Sequence, residues 1–270
     1  MAIPALGTVL CAVDESDTSA AVIYTAAGLA AHPTSKLVIL QVKDRLDSDE
    51  ARTAAKNDLR DLAYRATPGW AAYRETTELA VAAGPPAETI LAEAANRGAN
   101  LIVIGTHRHG RLAQAIFGSV TTHVLRHARV PVAVVPPESM EVIALTNDGP
   151  VPHFGTILVP VRLDGGSARQ LALASTLSMA SNHPINLLHA IPEHADSAEP
   201  LARIQELSRA LDSHTGVRAI VTHGSLVNVI DDRQQREHAG IVILGRDDSS
   251  PGHVARALLQ QTHAVVVFVP

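Results

Sequence analysis

Short runs of β-branched and aliphatic residues alternate along the chain with longer Ala- and Leu-rich stretches of helical period. The first half has such runs near residues 8–13, 36–42, 73–81, 101–105 and 131–135, bounded by Gly, Pro or Asp. This alternation predicts βα units and a parallel sheet covered by helices. The third run is the least regular, because Glu75 and Glu78 interrupt the pattern between Ala71 and Val81.

The pattern then repeats. Val9-Leu10-Cys11-Ala12-Val13 followed by Ser19-Ala20 matches Ile157-Leu158-Val159-Pro160-Val161 followed by Ser167-Ala168, 148 positions on. Lys36 to Val42 meets Pro184 to Ala190 at the same offset, whereas Leu101 to Gly105 meets Ile241 to Gly245 at an offset of 140. Val132 to Pro136 meets Val266 to Pro270 at 134, so the second copy has lost eight residues and then six more. Self-similarity at a domain-sized period decides the architecture before local propensity does. Between the copies, Pro136-Pro137 through Asn147-Asp148-Gly149-Pro150 and Pro152 is rich in breakers and reads as a linker. The expectation is two tandem α/β domains, residues 1–148 and 149–270, each an open five-stranded parallel sheet.

Composition agrees with two cores: 270 residues, 46% of them hydrophobic, suit two domains of about 100–150 residues. Net charge is −5, and Lys and Arg are dispersed, so no nucleic-acid surface is indicated. Cys11 is the single cysteine and lies in an apolar run, where it reads as a small buried hydrophobe compatible with a reducing compartment. No secretory pattern opens the chain, and no apolar run approaches the roughly 20 residues needed to cross a bilayer. A cytoplasmic protein without a membrane partner is expected.

In an open parallel sheet the ligand crevice lies outside the carboxyl ends of the strands, where the connection order reverses. Asp14 ends the first strand; Gly105 ends the fourth and opens Gly105-Thr106-His107-Arg108-His109-Gly110. Gly118-Ser119-Val120-Thr121 then precedes a helical stretch running to about Arg129. A Gly-Ser at a helix start suits phosphate, since the first amides lack intrahelical partners, the dipole is positive there, and glycine admits an anion close to the backbone. The plain alternative is that Ser119 or Thr121 caps the helix.

Together, Val13-Asp14, Gly105-x-x-Arg108 with nine residues before Gly118-Ser119, and Val124-Leu125-Arg126-His127-Ala128-Arg129-Val130-Pro131-Val132 resemble the universal stress protein pattern Gly-x2-Gly-x9-Gly-Ser/Thr. The likeness spans residues 5–136 and, more faintly, 155–270. It implies a Rossmann-like fold of the adenine nucleotide α-hydrolase type and a regulatory, stress-response protein that binds ATP, with or without Mg²⁺, with slow hydrolysis at most. By position, Ala12, Asp14 and Val42 border adenine and ribose; Ile104, Gly105 and His107 form the ribose-phosphate turn; Gly118, Ser119, Val120 and Thr121 meet the phosphates. The family's second glycine is Arg108 here, which either supplies a bidentate phosphate fork or fills the site. The resemblance further implies that Val132–Val135 and Val265–Val269 pair the two domains within one chain. A homodimer of the full chain is expected as well.

The second copy departs further. Arg162 replaces Asp14, His253 replaces Ser119, only six residues separate Gly245 from Gly252, and Asp247-Asp248 would repel a triphosphate. It reads as a degenerate domain and a structural partner of the first. His123 and His127 share a helix face at i, i+4, but no carboxylate at ligand spacing accompanies them, so no metal site is assigned. Asp44, Asp47, Asp49 and Glu50 read as a solvated turn and helix start, Asp164 with Ser167 as a cap, and Trp70 as a loop anchor. An adenylating or hydrolytic enzyme is disfavoured, because Asp14-Glu15-Ser16-Asp17 stands where such enzymes carry a Ser-Gly-Gly-x-Asp-Ser loop, and neither a Walker loop nor a nucleophile elbow occurs. A purely structural dimerisation module with an empty pocket is the remaining alternative.

Overall fold

The computed structural model describes the chain apart from residues 1–5, 33, 68–76, 107–117, 138, 140, 141, 147, 148, 212–215 and 247–250, and describes 143–152 by backbone alone. It divides into two compact units, one comprising Ala5–Pro137 with Ile143–Pro152 and the other built on His153–Pro270.

In the first unit the elements run β1 (Thr8–Val13), α1 (Ser19–Leu29), β2 (Lys36–Lys43), α2 (Asp49–Ala66), β3 (Thr77–Ala83), α3 (Pro86–Asn96), β4 (Ala99–Gly105), α4 (Ser119–His127) and β5 (Val132–Val135). The strands are parallel in the order β3-β2-β1-β4-β5. β1 is therefore central, with Cys11 between Ile39 and Val103, and Val9, Leu10 and Cys11 fully buried. Burial pushes the Cys11 thiol pKa far up, so it stays a neutral core group. The order reverses between β1 and β4, which fixes where a crevice can open. β3 is described from Thr77 onward; residues 73–76, where the sequence places its start, lie outside the described residues. α4 stops at His127, two residues short of the expected Arg129.

Part of the breaker-rich stretch is ordered as an antiparallel hairpin of β6 (Ile143–Thr146) and β7 (Gly149–Pro152), which packs on α1 of the same unit. α1 correspondingly lacks a polar face: Ser19, Val22, Ile23 and Thr25 through Leu29 are all buried. A helix covered on both sides carries no amphipathic signal. α2 shows the opposite, solvated character. Ser48 Oγ accepts from the Ala51 amide at 3.1 Å, and Asp49 and Glu50 sit in the first turn. Glu50's own backbone amide and the Ser48 hydroxyl hold its carboxyl below the ordinary range.

The second unit repeats the plan with β8 (Ile157–Pro160), α5 (Ala168–Ser181), β9 (Ile185–Ile191), α6 (Ala198–Arg209), β10 (Val217–His223), α7 (Leu226–Glu237), β11 (Ile241–Gly245), α8 (His253–Gln261) and β12 (Val265–Val269). Its strand order is β10-β9-β8-β11-β12, the same topology. One detail marks the repeat as physical as well as topological. In the first unit Arg97 lies between Glu78 and Glu93. At the equivalent places in the second, Glu237 lies between Arg218 and Arg233, every charge reversed. Swapping all three signs preserves the attractions, so each copy keeps the tie between its edge strand and the following helix. No helix among the described residues is long and apolar enough to cross a membrane.

Candidate functional site

At the carboxyl ends of β1 and β4 a cavity of about 380 Å³ opens in the first unit. β1 and its loop contribute Ala12, Val13 and Asp14; β2 contributes Val42; β4 contributes Ile104 and Gly105; the start of α4 contributes Gly118, Ser119, Val120 and Thr121. Nine residues named from the sequence thus line one space. The other two, His107 and Arg108, lie outside the described residues. The sequence did not single out Thr18, Ser19 and Val22 of the α1 start or Pro86 and Ile90 of α3, which complete the lining. No motif marks them; only the topology, which puts every helix start at this end of the sheet, could have pointed there.

Asp14 is exposed and held by its own loop. Its Oδ1 accepts from the Ser16 amide at 2.9 Å and lies 3.0 Å from Ser19 Oγ, while Ser19 Oγ also accepts from the Asp14 amide at 3.2 Å. Beside it Glu15 pairs with Lys43 at the end of β2, joining the two loops that flank the cavity mouth. Asp14 is the one ionisable residue among the described lining residues.

The two glycines differ in what they do. A Cβ on Gly105 would lie 2.9 Å from Val22 Cγ2, so glycine there lets α1 pack against the end of β4. Gly118 has φ −61° and ψ 158°, which any residue adopts, and a Cβ there would meet nothing within 4 Å among the described residues. Its backbone does not require glycine, and towards the described residues its absent side chain leaves open space.

Three helices begin on this cavity, α1 at Thr18, α3 at Pro85-Pro86 and α4 at Gly118-Ser119, and none has a side-chain hydrogen bond capping its start. Thr18 Oγ1 instead contacts Ser16 Oγ at 2.9 Å. Three positive dipole ends directed at one space, with amides not taken by side-chain caps, form a setting for an anion. Among the described residues no group of three or more His, Cys, Asp or Glu could hold a metal ion; His123 and His127 stack at 4.2 Å on α4, with His123 Nε2 3.8 Å from Glu88.

A model described as the universal stress protein family matches residues 6–136. A universal stress protein of Mycobacterium tuberculosis H37Rv is 32% identical over 130 residues, which cover 44% of this chain and 41% of that protein. The chain's match thus spans about two fifths of the length of that curated relative. Among solved structures, a universal stress protein of Archaeoglobus fulgidus DSM 4304 superposes with a TM-score of 0.71 at 16% identity over 97% of both chains. A Pseudomonas aeruginosa UCBPP-PA14 protein of the same kind gives 0.63 at 19% identity, over 97% of this chain and 92% of its own. At those identities both structures report the fold, and they report it for both units.

Proposed function

We propose that this chain, whose residues 6–136 belong to the universal stress protein family, is a regulatory protein that binds an adenine nucleotide in its first unit. The observation that carries the reading is the convergence of three helix starts without side-chain caps on one cavity, beside a glycine whose backbone any residue could adopt. In this arrangement the phosphates take the amides of Ser119, Val120 and Thr121, with the Ser119 hydroxyl as a further donor. Asp14, an acceptor fixed by Ser16 and Ser19, takes the ribose hydroxyls. Ala12, Val42, Ile90 and Ile104 give the base an apolar bed.

Binding without rapid turnover fits the same residues. Asp14 is the sole described ionisable group of the lining, and its hydrogen bonds to Ser16 and Ser19 commit it as an acceptor instead of a base aimed at a phosphate. A Mg²⁺ would arrive with the phosphates, because the described lining offers one carboxylate and no second oxyanion. The second unit serves the first as a structural partner in a cytoplasmic protein. Mass spectrometry of ligands released from the purified, heat-denatured chain, followed by calorimetric titration with ATP, tests the reading. One nucleotide in the first unit is expected; a chain that neither releases nor takes up nucleotide would be the structural module instead.

A further inference from the structure

We infer that Gln170 bars entry between β8 and β11 of the second unit: its side-chain amide ties the ends of these two strands together where the first unit holds its cavity open, so the chain carries a single nucleotide. The stoichiometry rests on the nucleotide reading above; the tie rests on geometry alone.

Gln170 stands 148 positions after Val22, which lines the cavity of the first unit, and Pro160 stands at the same offset from Ala12. Proline brings no N–H to its neighbour strand. In the first unit β1 stays paired with β4 as far as Ala12 and Ile104, but β8 is in register with β11 only at Ile157–Ile241 and Leu158–Val242. The carbonyls beyond that point need donors, since a buried carbonyl without one is costly. Gln170 supplies them: its Nε2 donates to Pro160 O and to Ile243 O, both at 2.6 Å, from a side chain that is 3% exposed. The partner strand is shaped to receive it. A Cβ on Gly245 would lie 3.2 Å from Gln170 Oε1, so glycine there leaves the amide its room.

The consequence is a different strand-end chemistry in the two copies. Val22 is an apolar wall that asks nothing of its neighbours, whereas Gln170 is a crosslink between Pro160 O and Ile243 O, beside a proline that has no N–H to offer β11. A ligand entering between β8 and β11 would have to displace the amide and break both of its hydrogen bonds.

Native mass spectrometry and hydrogen exchange on the full chain, each with and without ATP, decide the matter. The parent should bind one ATP, with added protection at Ile104 and Gly105 and none at Val161 and Leu244. Gln170→Val, which installs the first unit's residue, should speed exchange at Val161 and Leu244 at least tenfold and leave Ile104 and Gly105 unchanged; Gln170→Met, closer in size and without the amide donor, gives the same comparison if the valine variant does not fold. Two bound ATP molecules in the parent, or ATP-dependent protection at Leu244, would overturn the closure. Unchanged exchange at Val161 and Leu244 in the variants would overturn the tie. A parent that binds no ATP sinks the nucleotide reading, and the variant comparison still decides the tie.

Discussion

Thr121 Oγ1 donates to the Gly105 carbonyl at 3.1 Å, joining the first turn of α4 to the last residue of β4. The bond spans 16 residues of sequence and fixes the two halves of the candidate phosphate site against each other. Gly105 is in turn pressed against Val22, so β4, α1 and α4 meet at one point under the cavity. Thr121→Val should remove the bond at nearly constant volume and cost about 0.5–1.5 kcal/mol, the net worth of one hydrogen bond. Thermal unfolding should show a drop of a few degrees, and calorimetry a weaker ATP affinity. Unchanged melting would mean that α4 is held without this tie.

Gly118→Val tests the phosphate site more directly. Because the backbone there is extended and a Cβ meets none of the described residues, the variant should melt with the parent. Yet the branched side chain would stand where phosphate approaches, so ATP affinity should fall at least tenfold, about 1.4 kcal/mol or more. Gly252→Val, at the equivalent place in the second unit, should leave ATP binding unaltered. Equal losses by titration calorimetry would sink the idea of a single, first-unit site.

What could be read from the sequence depended on whether a residue's role is local. Asp14, Gly105 and Gly118 sit at strand and helix ends that recur in the second copy, at offsets of 148, 140 and 134, so the repeat and the topology rule located them together. Pro86, Ile90 and Val22 reach the same cavity from helices whose other residues pack on the sheet, and nothing in their spacing separates the two tasks. Gln170 was equally hidden: in a run of Ala and Leu it looks like a solvent-facing polar residue, and only the loss of an amide at Pro160 makes its burial necessary. The hairpin escaped notice because four-residue strands bracketed by Asn, Asp, Gly and Pro carry no periodicity to detect.

Acid should weaken the edge of the first unit. Hydrogen bonds from Lys36 and Arg97 hold the Glu78 carboxyl below its ordinary value of 4.5. A carboxylate with a depressed folded pKa contributes stability that is fully present above the unfolded value and is lost as pH falls through the folded one. The contribution should therefore be intact at neutral pH and fade below about pH 4.5. Melting temperatures of the parent and Glu78→Gln, measured from neutral pH downward, should converge in that acid range. A constant gap between them would show that Glu78 matters for packing and not for its charge.

The hairpin makes a prediction about where the first unit ends. α1 is buried from Thr25 to Leu29 without a polar stripe, which one sheet face cannot explain, and β6 and β7 lie against it. A fragment of residues 1–152 keeps both strands, whereas one of residues 1–140 ends before Ile143 and exposes the outer side of α1. Apolar surface returned to water costs about 25 cal/mol per Å², so even 100 Å² uncovered on α1 would cost on the order of 2.5 kcal/mol. The shorter fragment should accordingly unfold at lower denaturant concentration and bind more of a dye that reports exposed apolar surface. A cut at 148 falls between β6 and β7 and leaves β6 without its partner, so that fragment should behave like the shorter one, because an isolated four-residue strand does not hold itself in place. Equal stability of all three fragments would mean that the hairpin is a passenger on α1 and that the apolar side of the helix is covered by something else.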